Sequence, residues 1–226
     1  MTLNNLEKWY KDLWDIIVDV NICINNAKRL KKNVYKREAI IKRHGFFRHH
    51  WHQLRFIIII RLCLVFDKRQ NQKRNIVKLC NRIINEPLDK KIEEILKQNK
   101  LKGSYRVFKT RKEFKDSARN ILKEIEGKED LIKKLTNARD HVYAHYDPDV
   151  KVNHLKLDEL IELNEMANRY YNILHGQLFN VTSALGLTAP WTIDQPLKIL
   201  SEDLERKYKD LHGLQDETEA SPQQSL

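Results

Sequence analysis

Apolar side chains recur at three- and four-residue steps over the first thirty residues, which is the spacing of one face of an α-helix. The chain has only six Gly and five Pro, a composition that argues against a turn-rich β protein. We therefore predict one long amphipathic helix from Leu3 to Lys32 that needs other helices to cover it. Its aromatic residues are predicted to lie in the core: Trp9, Tyr10 and Trp14.

The remaining apolar patterns also have helical spacing, so we predict an all-α fold, an up-down helical bundle with a long first and a long late helix. A length of 226 residues suits one domain, placed at residues 1–211, with a polar and disordered tail at 212–226. The late helix is expected to pack on the first. After the first helix, the predicted helices span 47–66, 76–84, 88–100, 106–125, 128–145, 157–185 and 197–210.

Positive charge is concentrated at the end of the first predicted helix, in the connection after it and in the second predicted helix. Residues 28–61 contain eleven Lys or Arg and one acid, Glu38, in a chain of net charge +11. Such an excess favours a polyanionic partner, although a solvated basic face has the same composition. The cluster His49, His50 and His52 is interpreted as a polar helix face, because no thiolate or carboxylate ligands accompany it at fixed spacing.

The cysteines and the apolar runs predict where the protein resides. Cys23, Cys63 and Cys80 lie in apolar helical runs and are interpreted as buried, reduced thiols of a cytoplasmic protein. The most apolar run, Phe56–Phe66, has 11 residues and includes Arg61, whereas a membrane span takes about 20 apolar residues. We therefore expect no membrane association and no signal peptide.

Ionisable groups crowd into residues 137–147, at the end of a predicted helix before Pro148. Arg139 can bind a phosphate through paired donors, and His145, six positions later, is suited to proton transfer. Two other interpretations remain open: Arg139 forms an ordinary surface ion pair with a nearby Asp, or His141 and His145, one helical turn apart, bind a divalent ion.

Helix geometry restricts how this pair can act. Residues six apart are rotated by about 120° and separated by about 9 Å along the axis, so Arg139 and His145 do not meet on one helix face. Either the helix ends or kinks before His145, or two chains pair and bring their motifs together.

The order Arg139-Asp140, four residues, His145 resembles the R-[N/D/H]-x(4–6)-H signature of the HEPN superfamily. The run from Phe56 to Asp67 with the short apolar run after it is similar to the middle of AbiU-type abortive-infection HEPN proteins, and so is the stretch Ala144–Asp147. The resemblance covers roughly residues 1–185.

This resemblance implies a homodimer that cleaves RNA without a metal or cofactor, in phage defence or in a toxin–antitoxin system. It implies RNA as the substrate, with tRNA among the candidates, and an antitoxin or inhibitor protein as a further partner. The catalytic residues would be Arg139, Asp140 and His145, with substrate positioned by His141, Tyr146 and Asp147. Some HEPN toxins carry a modified Tyr where this chain has Asp147. The alternatives are a non-catalytic RNA-binding or scaffold protein of the same fold and a structural helical partner.

Overall fold

Helices make up the fold in the computed structural model, which describes residues 1–68, 75–103, 106–140, 155–186 and 191–213. No strand occurs in these ranges, so the predicted all-α class is confirmed. The helices are α1 (Leu3–Lys31), α2 (Glu38–Ile41), α3 (Gly45–Phe66), α4 (Ile76–Asn85), α5 (Lys90–Leu101), α6 (Arg111–Glu126), α7 (Glu129–Ala138), α8 (Leu157–Tyr171), α9 (Gln177–Phe179) and α10 (Asp194–His212).

An antiparallel pair, α1 and α3, forms the centre of the bundle. Arg61 near the end of α3 binds Asp19 near the middle of α1 at 2.7 Å. Lys31 at the end of α1 lies 5.6 Å over the ring of Trp51 near the start of α3. The two helices bury a shared row of side chains, and α8 covers α1 from another side, as the sequence predicted.

Capping side chains explain where several helices begin. The hydroxyl of Thr110 accepts a hydrogen bond from Glu113 N, and the Glu113 carboxylate accepts one from Lys109 N. This reciprocal cap starts α6 at Arg111, so the predicted start at residue 106 was five residues early. At α3, His44 Nδ1 accepts from Phe46 N and starts the helix at Gly45, two residues before the predicted start.

The late helix differs most from prediction. It was expected to continue to Leu185, but helical structure runs from Leu157 only to Phe179, and it widens to π-helical bonding over Asn172–Gly176. The short α9 follows and ends at Asn180, which has φ of +56°. Gly176 allows this turn because a Cβ there would lie 2.7 Å from the Val181 carbonyl oxygen.

The buried residues agree with the predicted core, with one exception. Trp9 and Tyr10 are buried, and Tyr10 Oη donates to the Leu174 carbonyl at 2.9 Å. Trp14, however, is 43% exposed because it lies on the outer side of α1. The predicted core position of Trp14 was therefore wrong.

The cysteine prediction is confirmed, since Cys23, Cys63 and Cys80 are all buried free thiols. Burial raises their pKa values to about 11, 12 and 12, respectively. Among the described residues, no helix is both long enough and apolar enough to span a bilayer. The predicted tail lies outside the described residues from position 214 onward, and the domain boundary stays a prediction.

A buried carboxylate, Glu38, joins the end of α1 to α2. Its side chain is fully buried and forms ion pairs with Arg29, at 2.5 Å, and with Lys42. It also accepts hydrogen bonds from the backbone N–H groups of Val34 and Tyr35, at 2.7 and 2.9 Å. Burial alone would raise the pKa of Glu38, but these donors outweigh it and lower the pKa to about 2.

Replacing Glu38 by Gln should therefore destabilise the protein by about 3 kcal/mol at pH 7, because two buried cations lose their counter-charge. The pKa of Glu38 is lower in the folded state than in the unfolded chain. Its contribution is therefore complete above about pH 4.5 and is lost as pH falls toward 2. Urea unfolding at several pH values should show that the difference in free energy of unfolding between wild type and Glu38→Gln becomes smaller as pH falls from about 4.5 toward 2. Glu94→Gln, at an exposed position, is the control and should change stability by less than about 0.5 kcal/mol.

Candidate active site

The Arg-Asp motif follows α7 directly. The α-helical part ends at Ala138, and Arg139 and Asp140 continue it with π-helical bonding, Arg139 having helical dihedral angles (φ −60°, ψ −49°). Residues 141–145 of the predicted helix lie outside the described residues, so its end at His145 stays a prediction. Arg139 and Asp140 are described by the structure. The other predicted site residues lie outside the described residues: His141, His145, Tyr146 and Asp147. Their roles stay predictions.

The guanidinium of Arg139 is held by two carboxylates. Its Nη1 donates to Asp67 Oδ2 at 2.7 Å, and its Nε donates to Asp140 Oδ1 at 2.8 Å. The Arg139 side chain is only 13% exposed, and that of Asp67 is 4% exposed. The ion pair with Asp140 that the surface interpretation expects is present, but Arg139 also binds a buried Asp at the end of another helix, so its pairing is not confined to the surface.

Asp67 is fixed by the corner between α3 and α4. It caps the C-terminus of α3, where its N–H donates to the Cys63 carbonyl at 2.9 Å. Its own carbonyl accepts from Nδ2 of buried Asn75 at 2.7 Å, and Asn75 caps the start of α4. Two helix ends thus determine where the Asp67 carboxylate lies.

A second contact joins the same two helices beside the ion pair. The Cys63 thiol lies 3.7 Å from the Leu135 carbonyl in α7. Burial raises the pKa of Cys63 to about 12, although the nearby Arg139 acts in the opposite direction. Cys63 is therefore a neutral packing group at this site and not a nucleophile.

The electrostatics keep Arg139 charged and oriented. Burial alone would lower the pKa of its guanidinium, but the hydrogen bonds to Asp67 and Asp140 outweigh this effect and raise it. One further nitrogen, Nη2, is buried and has no hydrogen-bond partner in the part of the chain that the structure describes. The group is thus a fixed cation with donor capacity left on one side.

Sequence reasoning identified Arg139 and Asp140 but missed the role of Asp67. Asp67 was noted only as part of a family-like run. The signal was available, since a carboxylate directly after eleven mostly apolar residues is expected to be buried and to need a cation. No sequence pattern indicated that this cation lies 72 residues away.

The histidines of the basic segment lie mostly on the surface of the protein. In the described ranges, no group of three or more His, Cys, Asp or Glu side chains is placed to hold a metal ion. His44, His49 and His52 are exposed on α3, and His50 is half-buried. They form a polar helix face, as predicted.

Asp67→Asn should destabilise the protein by about 3 kcal/mol, because it leaves the buried Arg139 cation without its buried counter-charge. Asp140→Asn is the matched control. Its side chain is 34% exposed, so water replaces the lost interaction and the expected cost is about 1 kcal/mol or less. Urea unfolding at pH 7 measures both. An Asp140→Asn effect as large as that of Asp67→Asn would contradict the assignment of Asp67 as the main partner.

Comparison with known proteins gives one match. The AbiU2 family of HEPN proteins matches residues 3–211, which is nearly the whole chain. No curated protein and no solved structure matches significantly. The match extends beyond the motif to α10, and it agrees with the all-α architecture and with the family suggested by the sequence. The chain therefore belongs to the AbiU2 family, a HEPN family related to abortive infection.

Proposed function

We propose that this protein is a metal-independent endoribonuclease that acts in abortive infection, as a homodimer in the cytoplasm. The observation that carries the proposal is the fixed Arg139 cation at the end of α7, held by Asp67 and Asp140, in a chain of the AbiU2 family. A charged guanidinium with a fixed orientation is suited to stabilising negative charge that develops on a phosphate.

The proposed reaction begins with the ribose 2′-oxygen, which attacks the adjacent phosphorus while His145 accepts the 2′-hydroxyl proton. The bond from phosphorus to the 5′-oxygen breaks, and a second His145, from the other copy of the chain, donates a proton to the leaving oxygen. Arg139 stabilises the charge on the phosphate in the transition state, and Asp140 orients Arg139. His141, Tyr146 and Asp147 position the RNA. The products are a 2′,3′-cyclic phosphate and a 5′-hydroxyl.

The second candidate function is RNA binding without cleavage. The two acidic partners of Arg139 favour this candidate, because an arginine that is held by two carboxylates can have a purely structural role. The two candidates differ in whether His145 is needed for a chemical step.

The test is incubation of the purified protein with total RNA and with tRNA in EDTA. Wild type should cleave and leave cyclic phosphate ends, and DNA of the same sequence should resist because it lacks the 2′-hydroxyl. His145→Ala should lose at least about 100-fold in rate through loss of proton transfer while it still binds RNA. Arg139→Ala should lose at least as much.

Lys123→Ala, at an exposed position on α6, is the control for handling and contamination and should cleave like wild type. Cleavage by His145→Ala at the wild-type rate would overturn the catalytic assignment. Binding without cleavage by wild type, in the presence of phage-infected cell extract as well as alone, would favour the second candidate.

A further inference from the structure

One side of α3, which the structure describes in full, carries no Lys, Arg, Asp or Glu. Residues recur on this side at alternating four- and three-residue steps, the spacing of a seam between two packed helices: Phe46, His50, Gln53, Ile57, Ile60 and Leu64. We call this row the α3 seam. The solvent-facing side of a helix normally carries its charged residues, so a seam without charge indicates that this side packs against another surface.

The α3 seam is accessible in the single chain. Phe46 and Ile57 are 62% and 37% exposed, and the neighbouring Phe56 is 42% exposed. Ile60 and Leu64 are half-buried. The opposite side of α3 is buried in the core: Leu54, Ile58, Leu62 and Val65. The central helix of the bundle therefore leaves apolar area in water on one side, and covering that area would be favourable.

A groove of about 440 Å³ lies beside the seam, between α3 and α1. Its apolar lining comes from both helices: Ile22 and Cys23 of α1 with Phe56, Ile57 and Ile60 of α3. The charged residues among those that line it are Asp19 and Arg61, which pair with each other at 2.7 Å and are 43% and 41% exposed. The groove therefore has no net charge.

Charge determines which occupant suits this surface. Two copies of a chain with net charge +11 repel each other, so they can associate only through a neutral surface, and the seam with its groove is one. In a two-fold contact a surface meets itself, so Asp19 of one copy can face Arg61 of the other. RNA is a poor occupant because the seam offers its phosphates no unpaired cation.

We propose that the α3 seam and the groove beside it are the contact surface for a second copy of this chain. The two copies pack α3 against α3 about a two-fold axis, with Asp19 of each copy facing Arg61 of the other. The inference rests on the homodimer of the proposed function and adds the surface that forms it. Leu64 ends the seam three residues before Asp67, so the contact ends about one helical turn from the carboxylate that holds Arg139.

The experiment measures the dimer by sedimentation velocity over about a hundredfold range of protein concentration. Wild type should reach twice the chain mass of 27.1 kDa. Ile57→Lys should raise the Kd of the dimer at least about tenfold, because a two-fold contact contains the introduced charge twice. The matched control is Ile199→Lys, the same change at a 55% exposed residue of α10, which should keep the wild-type Kd.

A second measurement tests the ion pairs between copies. Asp19→Lys and Arg61→Glu each place like charges at the groove, so each variant alone should be monomeric. In an equimolar mixture, opposite charges meet only between unlike copies, so the mixture should recover the dimer mass. Helicity and urea midpoints close to those of wild type show that the variants are folded.

Three results would overturn the inference. The first is a wild type that stays monomeric at every concentration, and the second is an equal loss of dimer in Ile57→Lys and Ile199→Lys. The third is a mixture of Asp19→Lys and Arg61→Glu that stays monomeric, because the proposed two-fold arrangement requires these residues to meet.

RNA cleavage by the same proteins separates this inference from the proposed function. A dimer that depends on Ile57, without cleavage by wild type, supports the surface and refutes the nuclease. Cleavage by wild type, with an unchanged dimer in Ile57→Lys, leaves the nuclease proposal standing and refutes the surface.

Discussion

The ion pair between Arg139 and Asp67 joins the C-terminal ends of α7 and α3, which are 72 residues apart in sequence. Both helix ends carry the negative side of a helix dipole, so a cation between them is favoured by the backbone as well as by the carboxylate. Both side chains are largely buried, so removal of either partner would leave the other charge away from water without compensation. Everything proposed for the motif depends on this pair, because it fixes the arginine before any substrate binds.

The same pair shows what helical patterns reveal and what they omit. Three- and four-residue spacing identified α1, α4 and most of α3 within a few residues, because burial of one helix face requires that spacing. Side-chain caps determine where helices such as α6 begin, and the sequence spacing of Thr110 and Glu113 is the pattern that could have predicted this start. The spacing of apolar residues does not predict which helices pack against each other.

Packing between helices explains the other differences between the predicted and the observed structure. Trp14 fits the apolar side of α1 by spacing, but none of the helices that the structure describes covers that position. The chain turns back after α9, where the Val181 carbonyl approaches Gly176 so closely that a side chain there would not fit, and the predicted helix to Leu185 therefore stops short. Asp67 was found with its family-like run, while its partner in the site became evident only when α7 was placed beside α3. Of the predicted site residues, Arg139 and Asp140 form a hydrogen bond with each other, and His141 and His145 lie outside the described residues.

Positive charge in this protein serves two purposes that composition alone cannot separate. Arg29, Lys42 and Arg37 are part of the internal connections between α1, α2 and α10. Arg43 and Arg48 face solvent a few residues later. A net charge of +11 does not show where the excess of cations lies, so the location of the unpaired cations is the more informative quantity.

The attachment of α10 has a consequence for how the molecule opens. Only Leu197 and Ser201 of this helix are buried, and its other contacts are polar: Asp194 with Arg29 and Tyr35, Glu205 with Arg37, and the Tyr208 ring under Arg37. A helix held by charge more than by apolar area has a low local opening free energy, and salt lowers it further. Backbone amides of α10 should therefore exchange with solvent long before those of α1 and α3.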